Sequence, residues 1–457
     1  MENFEFNGVW WLPENPDKKV SGTLKFSSDE TTVLQLIGSF KEITEINVVK
    51  NHNLILGLTS EGKEITLFKC YEYQSVIHIP GFMNSCFFIS VVFVGHQFKK
   101  IEDIVFDSIL LNYNNLNEWA GINGFQLQPN KNNEDDHPLA EIRYFKPQIV
   151  AVKLEKFSIS IDFQFTQKGG FSEIKWEQTT FFKIDTDEPT NFDGYMSLCY
   201  NIQNFLSLAM GSAALPLTVI AKTKECQITM GDGNVMYPEI FIFYPIRGFN
   251  ELKKNITYFN MLFSFRDISA DYEKCIKNWF AKSSALKPVN DLYFGTLYNS
   301  SIYLQHAFSS LIQAIETYHR RTHDGKYLTD EEYLKVVYPI LIKSLPSTID
   351  ENFRESLKGK LLYLNEFSLR KRLKEILEYC GNLTEHFIKN KSEFIENTVD
   401  TRNYLTHFDK KLEGKAKQEE KLNLLTQQLK FVLEICLLQE LEISDTTIGN
   451  LIARKYH

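Results

Sequence analysis

Two short clusters in the last third of the chain hold residue types that can break a phosphodiester bond. The first is Arg402-Asn403-Tyr404-Leu405-Thr406-His407. Cutting RNA without a metal requires the 2′-hydroxyl to lose a proton, attack the adjacent phosphate in line, and expel the 5′-oxygen. A histidine can move that proton near neutral pH. An arginine can hold the phosphate through paired hydrogen bonds and stabilise the charge that builds there, and an asparagine can orient either. The products would be a 2′,3′-cyclic phosphate and a 5′-hydroxyl end. On a helix Asn403 and His407 lie four residues apart and share a face, whereas Arg402 sits about 140° from His407. Its long side chain, or a second copy of the motif across a dimer seam, has to close that gap. The second cluster is Glu316 and His319, which at i, i+3 can face one site.

Taken bare, this spacing is a weak signal. The plain alternative is a solvated helix face in which Asp400 or Asp409 partners the motif, and in which Glu316 pairs with Arg320 four residues on. Basic clusters flank the motif: Arg320-Arg321, Arg370-Lys371-Arg372 with Lys374, and Lys410-Lys411 with Lys415 and Lys417. Most read as solvated faces diluted by Glu375, Glu378, Glu419 and Glu420. The expected RNA contacts are Lys410 and Lys411, close in sequence to His407, together with Arg320 and His319.

Other chemistries lack their residues. The sequence has no GxxxxGK[ST] phosphate loop, no HExxH, no paired cysteines and no GxSxG elbow. His137 beside Glu134-Asp135-Asp136 reads as an acidic loop rather than a metal site, so neither metal nor cofactor is expected. The seven cysteines stand singly at 70, 86, 199, 226, 275, 380 and 436. An odd count without CxxC spacing argues against a disulfide framework or structural zinc and suits a cytoplasmic protein.

The elements that must position these residues fall into two textures. A chain of 457 residues, 43% hydrophobic and 24% charged, predicts two or three globular domains rather than disorder. The amino terminus lacks the regions of a secretory signal, and the apolar stretches 87–94 and 205–221 are too short to span a membrane. Both are expected to be buried elements, and no membrane association is expected. From Gly295 onward Lys plus Arg number 23 against 23 Asp plus Glu. The first 294 residues therefore carry the whole net charge of −8, with 27 basic and 35 acidic residues. The neutral C-terminal part is the less hostile surface for RNA.

The first half predicts strands at 20–26, 31–36, 54–59, 64–68, 87–94 and 157–165, in a mainly antiparallel sandwich or barrel. Phe157, Ile159, Ile161, Phe163 and Phe165 alternate on one face, and 128–138 is a surface loop. One helix at about 191–210, closed by Gly211, interrupts the β pattern, and a strand over 217–230 follows. Trp10 and Trp11 can stack on a ligand, but tandem aromatics at the start of a strand are expected as one core and one surface residue. Beyond 287–295 the periodicity is helical, with helices at 301–321, from 329 to before Pro346, 349–363, 369–379, 383–408 and 418–441. Thr329-Asp330-Glu331-Glu332 is a capping box. The fold class is thus α+β: an N-terminal β region over 1–290, with a tentative internal division near 145, and an all-α bundle over 295–457.

The motif RNYLTH resembles the Rx4–6H signature of HEPN domains, including the polar residue after the arginine. FSSLIQAIETYHRR, 308–321, resembles the early helix of the HEPN domain in ApeA-like anti-phage proteins. At the other end, Gly8-Val9-Trp10-Trp11-Leu12-Pro13, Val20-Ser21-Gly22-Thr23-Leu24 and Leu36-Ile37-Gly38-Ser39-Phe40 resemble the ApeA N-terminal domain. The resemblance implies an abortive-infection effector, a HEPN endoribonuclease with Arg402, Asn403 and His407 at its site. It implies Glu316 as an acidic residue orienting His407, a homodimer formed through the HEPN domain, and regulation by the N-terminal region with a phage-derived protein as trigger. Transfer RNA is a substrate that many HEPN toxins attack, and nothing in this sequence encodes that choice. The rival from another class is a non-catalytic dimerising sensor of phage defence, which would tolerate loss of Arg402 and His407.

Overall fold

The computed structural model describes residues 1–45, 47–129, 140–229, 235–299 and 301–456. The acidic loop with His137 lies outside the described residues. Two compact units divide the chain, Met1–Lys277 and Asn278–His457.

The first unit is built on one twelve-stranded antiparallel sheet. In chain order its strands are β1 (Phe4–Leu12), β2 (Asn15–Phe26), β3 (Thr32–Ile37), β4 (His52–Thr59), β5 (Glu64–Ile77), β6 (Met83–Val94), β7 (Val105–Tyr113), β8 (Val150–Lys153), β9 (Phe157–Gly169), β10 (Ile174–Asn191), β11 (Pro216–Lys222) and β12 (Ile240–Phe243). They lie side by side as β8-β9-β10-β7-β11-β12-β6-β3-β2-β1-β4-β5. β5 also pairs with β6, from Ile65 opposite Val94 to Ile77 opposite Met83. That second pairing closes six strands into a barrel, so the region is a barrel with an open sheet running off it. Strands from both sides of residue 145 belong to the same sheet.

The period-2 pattern explains the barrel's inside. Val20, Leu24, Leu34, Leu36, Ile55, Ile65, Leu67, Phe87, Ile89 and Val92 join Trp10 in one buried cluster. Trp10 and Trp11 are both buried, so the expected surface tryptophan is absent. The Trp10 indole donates to the Gly22 carbonyl at 3.1 Å, while Lys19 covers the Trp11 ring at 5.0 Å. Trp10 fits because residue 57 is glycine: a Cβ there would stand 2.3 Å from its ring carbons. On the outer wall Phe93 packs edge-on against Phe192 at 5.5 Å. Phe192 opens the expected helix, Phe192–Met210, with Asn191 accepting from the Gly194 amide and Gly211 left-handed at φ 68°. The strand expected over 217–230 ends at Lys222, where the Thr223 side chain caps a short turn at Lys224–Cys226.

The second unit is helical among its described residues, and its hub is the early helix Leu304–Thr322. It packs on the helices Lys287–Leu297, Leu369–Tyr379, Lys391–His407 and Glu419–Glu440. From Phe431 to Leu438 every residue of Glu419–Glu440 is buried, so that stretch of the helix lies inside the bundle. The capping box at Thr329 forms, its hydroxyl accepting from the Glu332 amide at 3.2 Å. The helical run it starts reaches Lys343 through a π turn at Tyr333–Val337, just ahead of Pro339, whose ring nitrogen cannot donate.

Among the described residues the helical unit has two helices beyond the expected six, Lys287–Leu297 and Asp445–Tyr456, and the helix Tyr272–Lys282 runs across the division between the units. The helix expected over 383–408 is in fact a 3-10 turn at Gly381–His386 followed by Lys391–His407. Asn390 makes the break, because its side chain accepts from the Glu393 amide and so begins a new helix.

The Trp10–Gly57 contact gives a direct test. Gly57→Ala is expected to destabilise the β unit by about 1–3 kcal/mol through overpacking, read as a lower thermal unfolding midpoint. Trp10→Phe in the same chain should recover part of the loss. An unchanged midpoint for Gly57→Ala would show that the barrel interior yields at this point.

Candidate nuclease site

The motif sits at the end of Lys391–His407. Phe394, Ile395, Thr398 and Thr401 form the buried face of this helix, which leaves Asn403 and His407 on the opposite side. His407 is the last helical residue and is exposed. Phe408 follows in the left-handed region at φ 49°, its amide returning to the Tyr404 carbonyl at 2.6 Å. The helix therefore stops within one residue of the histidine.

The Arg402 guanidinium donates through Nη1 to the Asn403 side-chain oxygen at 3.2 Å. This bond turns the positive charge from the flank toward the Asn403 side chain. Among the described residues no hydrogen bond joins Arg402 to His407. The Lys417 amide bonds to the Thr401 hydroxyl at 3.0 Å, pinning the end of the 408–417 loop back on the helix. Lys410 and Lys411 are exposed on this loop and enter no ion pair among the described residues.

The second cluster is placed differently from expectation. Glu316 pairs with Arg320 at 3.1 Å, and Arg320 also bonds to Glu366. Two carboxylates thus occupy the guanidinium that was expected to meet RNA, and no hydrogen bond joins Glu316 to His407 among the described residues. His319 is fully buried and offers no edge to RNA. Its Nδ1 lies 2.9 Å from Arg372 Nη1 and its Nε2 lies 2.8 Å from Glu375. An arginine can only donate, so Nδ1 accepts and Nε2 carries the proton that bonds to the carboxylate. Burial pushes the His319 pKa below its ordinary value, and Arg372 and His323 push the same way against Glu375. His319 is a neutral, oriented ring inside the bundle.

Arg372 is the residue that sequence reasoning misplaced. Within the basic run 370–374 it reads as a surface charge, yet its side chain is buried. It donates through Nε to the Phe367 carbonyl at 3.1 Å and lies 3.6 Å from Glu366. Gly325 is required beside it, since a Cβ there would meet Nη1 at 2.4 Å. The available signal was the helical register, which puts Arg372 in line with Leu373, Ile376 and Leu377 on the buried side. Lys371 pairs outside with Glu375 at 2.9 Å. Among the described residues no group of three or more His, Cys, Asp or Glu side chains is arranged to hold a metal ion, and no helix is long and apolar enough to cross a membrane.

Comparison with known families gives two matches. The model of ApeA N-terminal domain 1 matches residues 5–279, and that of the Apea-like HEPN domain matches residues 309–447. The second span contains the motif, the 408–417 loop and the His319–Arg372 network. No curated protein and no solved structure matches the chain.

The buried histidine predicts an acid-sensitive bundle. The folded state resists protonating His319, so the unfolded chain binds more protons as the pH falls through the ordinary histidine range. Stability is complete above that range and declines below it. Urea unfolding from neutral into mildly acidic pH should show this slope, and His319→Gln, which has no proton to gain there, should flatten it. Equal slopes would assign the acid sensitivity to other groups.

Proposed function

This chain belongs to the ApeA family and has the architecture of an anti-phage HEPN effector, and on that premise we propose that it is a metal-independent RNA endonuclease. The observation that supports this reading is the exposed His407 at a helix end, with Arg402 turned toward the Asn403 side chain. His407 would move a proton, either from the attacking 2′-hydroxyl or to the departing 5′-oxygen. Arg402 would hold the phosphate as negative charge accumulates on its oxygens. Asn403, already bonded to Arg402, would fix the guanidinium plane. The O2′–P bond forms, the P–O5′ bond breaks, and a 2′,3′-cyclic phosphate and a 5′-hydroxyl remain.

A single His407 supplies one of the two proton transfers. A homodimer that joins two motifs in one cleft would supply the other and would also close the angular gap between Arg402 and His407. The Lys410–Lys411 pair suits the incoming RNA backbone. The β unit would act as sensor or brake, responding to a phage-derived protein and releasing RNA cleavage that halts growth. Transfer RNA is a natural first substrate to try.

The test is cleavage of total RNA and tRNA in EDTA by wild type, Arg402→Ala and His407→Ala, with the new ends mapped. Wild type should cut and leave cyclic phosphate ends. His407→Ala should lose about 10²–10⁴-fold of the rate, the usual range for general acid–base catalysis, and Arg402→Ala about 10²–10³-fold, as for other charge-stabilising donors. Equal cutting by wild type and His407→Ala would remove His407 from the mechanism. No cutting by any form, even with extract of infected cells, would favour a non-catalytic sensor.

A further inference from the structure

An open cleft of about 700 Å³ lies beside the motif, between the start of Leu304–Thr322, the end of Lys391–His407 and the start of Glu419–Glu440. Its walls include Tyr303, His306, Tyr404, Phe408, Lys417 and Gln418. Tyr404 and Phe408 flank His407 in sequence, and their rings lie 5.6 Å apart. Across the cleft the Tyr303 and His306 rings lie 5.9 Å apart. We propose that this cleft is a base-binding subsite, which holds one unpaired nucleobase of an RNA strand next to the phosphate being cut. The subsite rests on the nuclease reading above and adds to it the side chains that would hold an unpaired base.

Four observations carry the proposal. The rings are displayed rather than used for packing: Tyr303 is 74% exposed and Phe408 68%. Phe408 occupies a left-handed position where glycine or asparagine is the ordinary choice, at φ 49° and ψ 37°. Such strain in a bulky residue persists where the ring has a task, and here that backbone sets the ring at the mouth of the cleft immediately after His407. The cavity falls in the range of small-ligand clefts, which is room for a base and its ribose. Finally, the 409–417 segment bordering the cleft carries Lys410, Lys411, Lys415 and Lys417 against Asp409 and Glu413. Four positive and two negative charges leave +2, a suitable neighbour for the flanking phosphates.

Aromatic faces accept any base, while Gln305 and Gln418 supply amides that can reach a base edge. Stacking between such rings needs a base that has left its helix, so a duplex does not fit. Tyr303 and His306 precede the residues matched by the HEPN family model, which begin at 309.

The experiment uses full-length His407→Ala, which separates binding from cutting, and a single-stranded RNA oligonucleotide carrying 2-aminopurine. Stacking on an aromatic ring quenches that base's fluorescence. Titration should quench the signal, and adding Tyr303→Ala should abolish most of the quench and weaken binding about tenfold, the order expected for losing one base–aromatic stack. Tyr303→Phe, which keeps the ring, should restore both, and the same sequence as a duplex should not quench. Unchanged quenching and affinity in Tyr303→Ala would overturn the subsite, as would a complete lack of RNA binding. A change of oligomeric state in Tyr303→Ala with RNA binding intact would also overturn it, by making the cleft a contact between copies. Wild-type cleavage, measured separately, reports on the nuclease. Quenching that depends on Tyr303, in a protein that never cuts, would uphold the subsite and remove the catalytic reading alone.

Discussion

The helical unit depends on one buried positive charge. The Arg372 guanidinium cannot give up its proton, so folding around it obliges the surroundings to supply acceptors. They come from three parts of the chain: the adjacent Glu366 and Phe367, through a carboxylate and a carbonyl, His319 of the hub helix, and the Gly325 carbonyl. Each acceptor imposes a condition on its own neighbours. His319 must stay neutral in one tautomer, which aims its remaining proton at Glu375. Glu366 must face inward, where it also takes Arg320. Residue 325 must be glycine, or the guanidinium loses its place. The relative setting of the hub helix and Leu369–Tyr379 is therefore fixed by hydrogen-bond geometry as well as by apolar packing, and Lys391–His407 rests on both.

Long-range polar pairing of this kind is what the sequence hides. Where burial follows a simple period, the chain is readable: Ile159, Ile161 and Phe163 point into the core as alternation predicts, and Asn191 and Gly211 bound their helix as capping chemistry predicts. The same reasoning foresaw the α+β division and the capping box at Thr329. It lost β10, whose run from Ile174 to Asn191 mixes six charged side chains and Pro189 with its aromatics, because only the middle of that strand is buried. It extended a helix through Asn390, where a local side-chain bond outweighs the apolar period. Arg372 and His319 are 53 residues apart, and no local pattern announces their bond. At the candidate site, spacing alone placed Asn403 with His407. The reach of Arg402 to Asn403 and the left-handed Phe408 needed coordinates.

The motif's setting follows from two opposed demands on Lys391–His407. Its inner face must be apolar enough to seat the helix, through Phe394, Ile395, Thr398 and Thr401. Its outer face carries the polar groups of the motif, with His407 exposed to solvent. Ending the helix at His407 reconciles them, because the exposed groups collect where the chain turns away from the bundle. The Lys417–Thr401 bond then returns the chain to the helix and limits how far the intervening lysines can stray.

Barrel closure has a further consequence for the exposure of strand edges. Where β5 meets β6, six strands present no terminal row of unpaired amides and carbonyls, so that part of the sheet cannot recruit a foreign strand. The open portion ends at β8, four residues long, which pairs with β9 only over Ser158–Ile161, so from Asp162 to Gly169 β9 has no strand partner on that side among the described residues. Closure thus removes the edge from the six barrel strands, while the sheet beyond them keeps one.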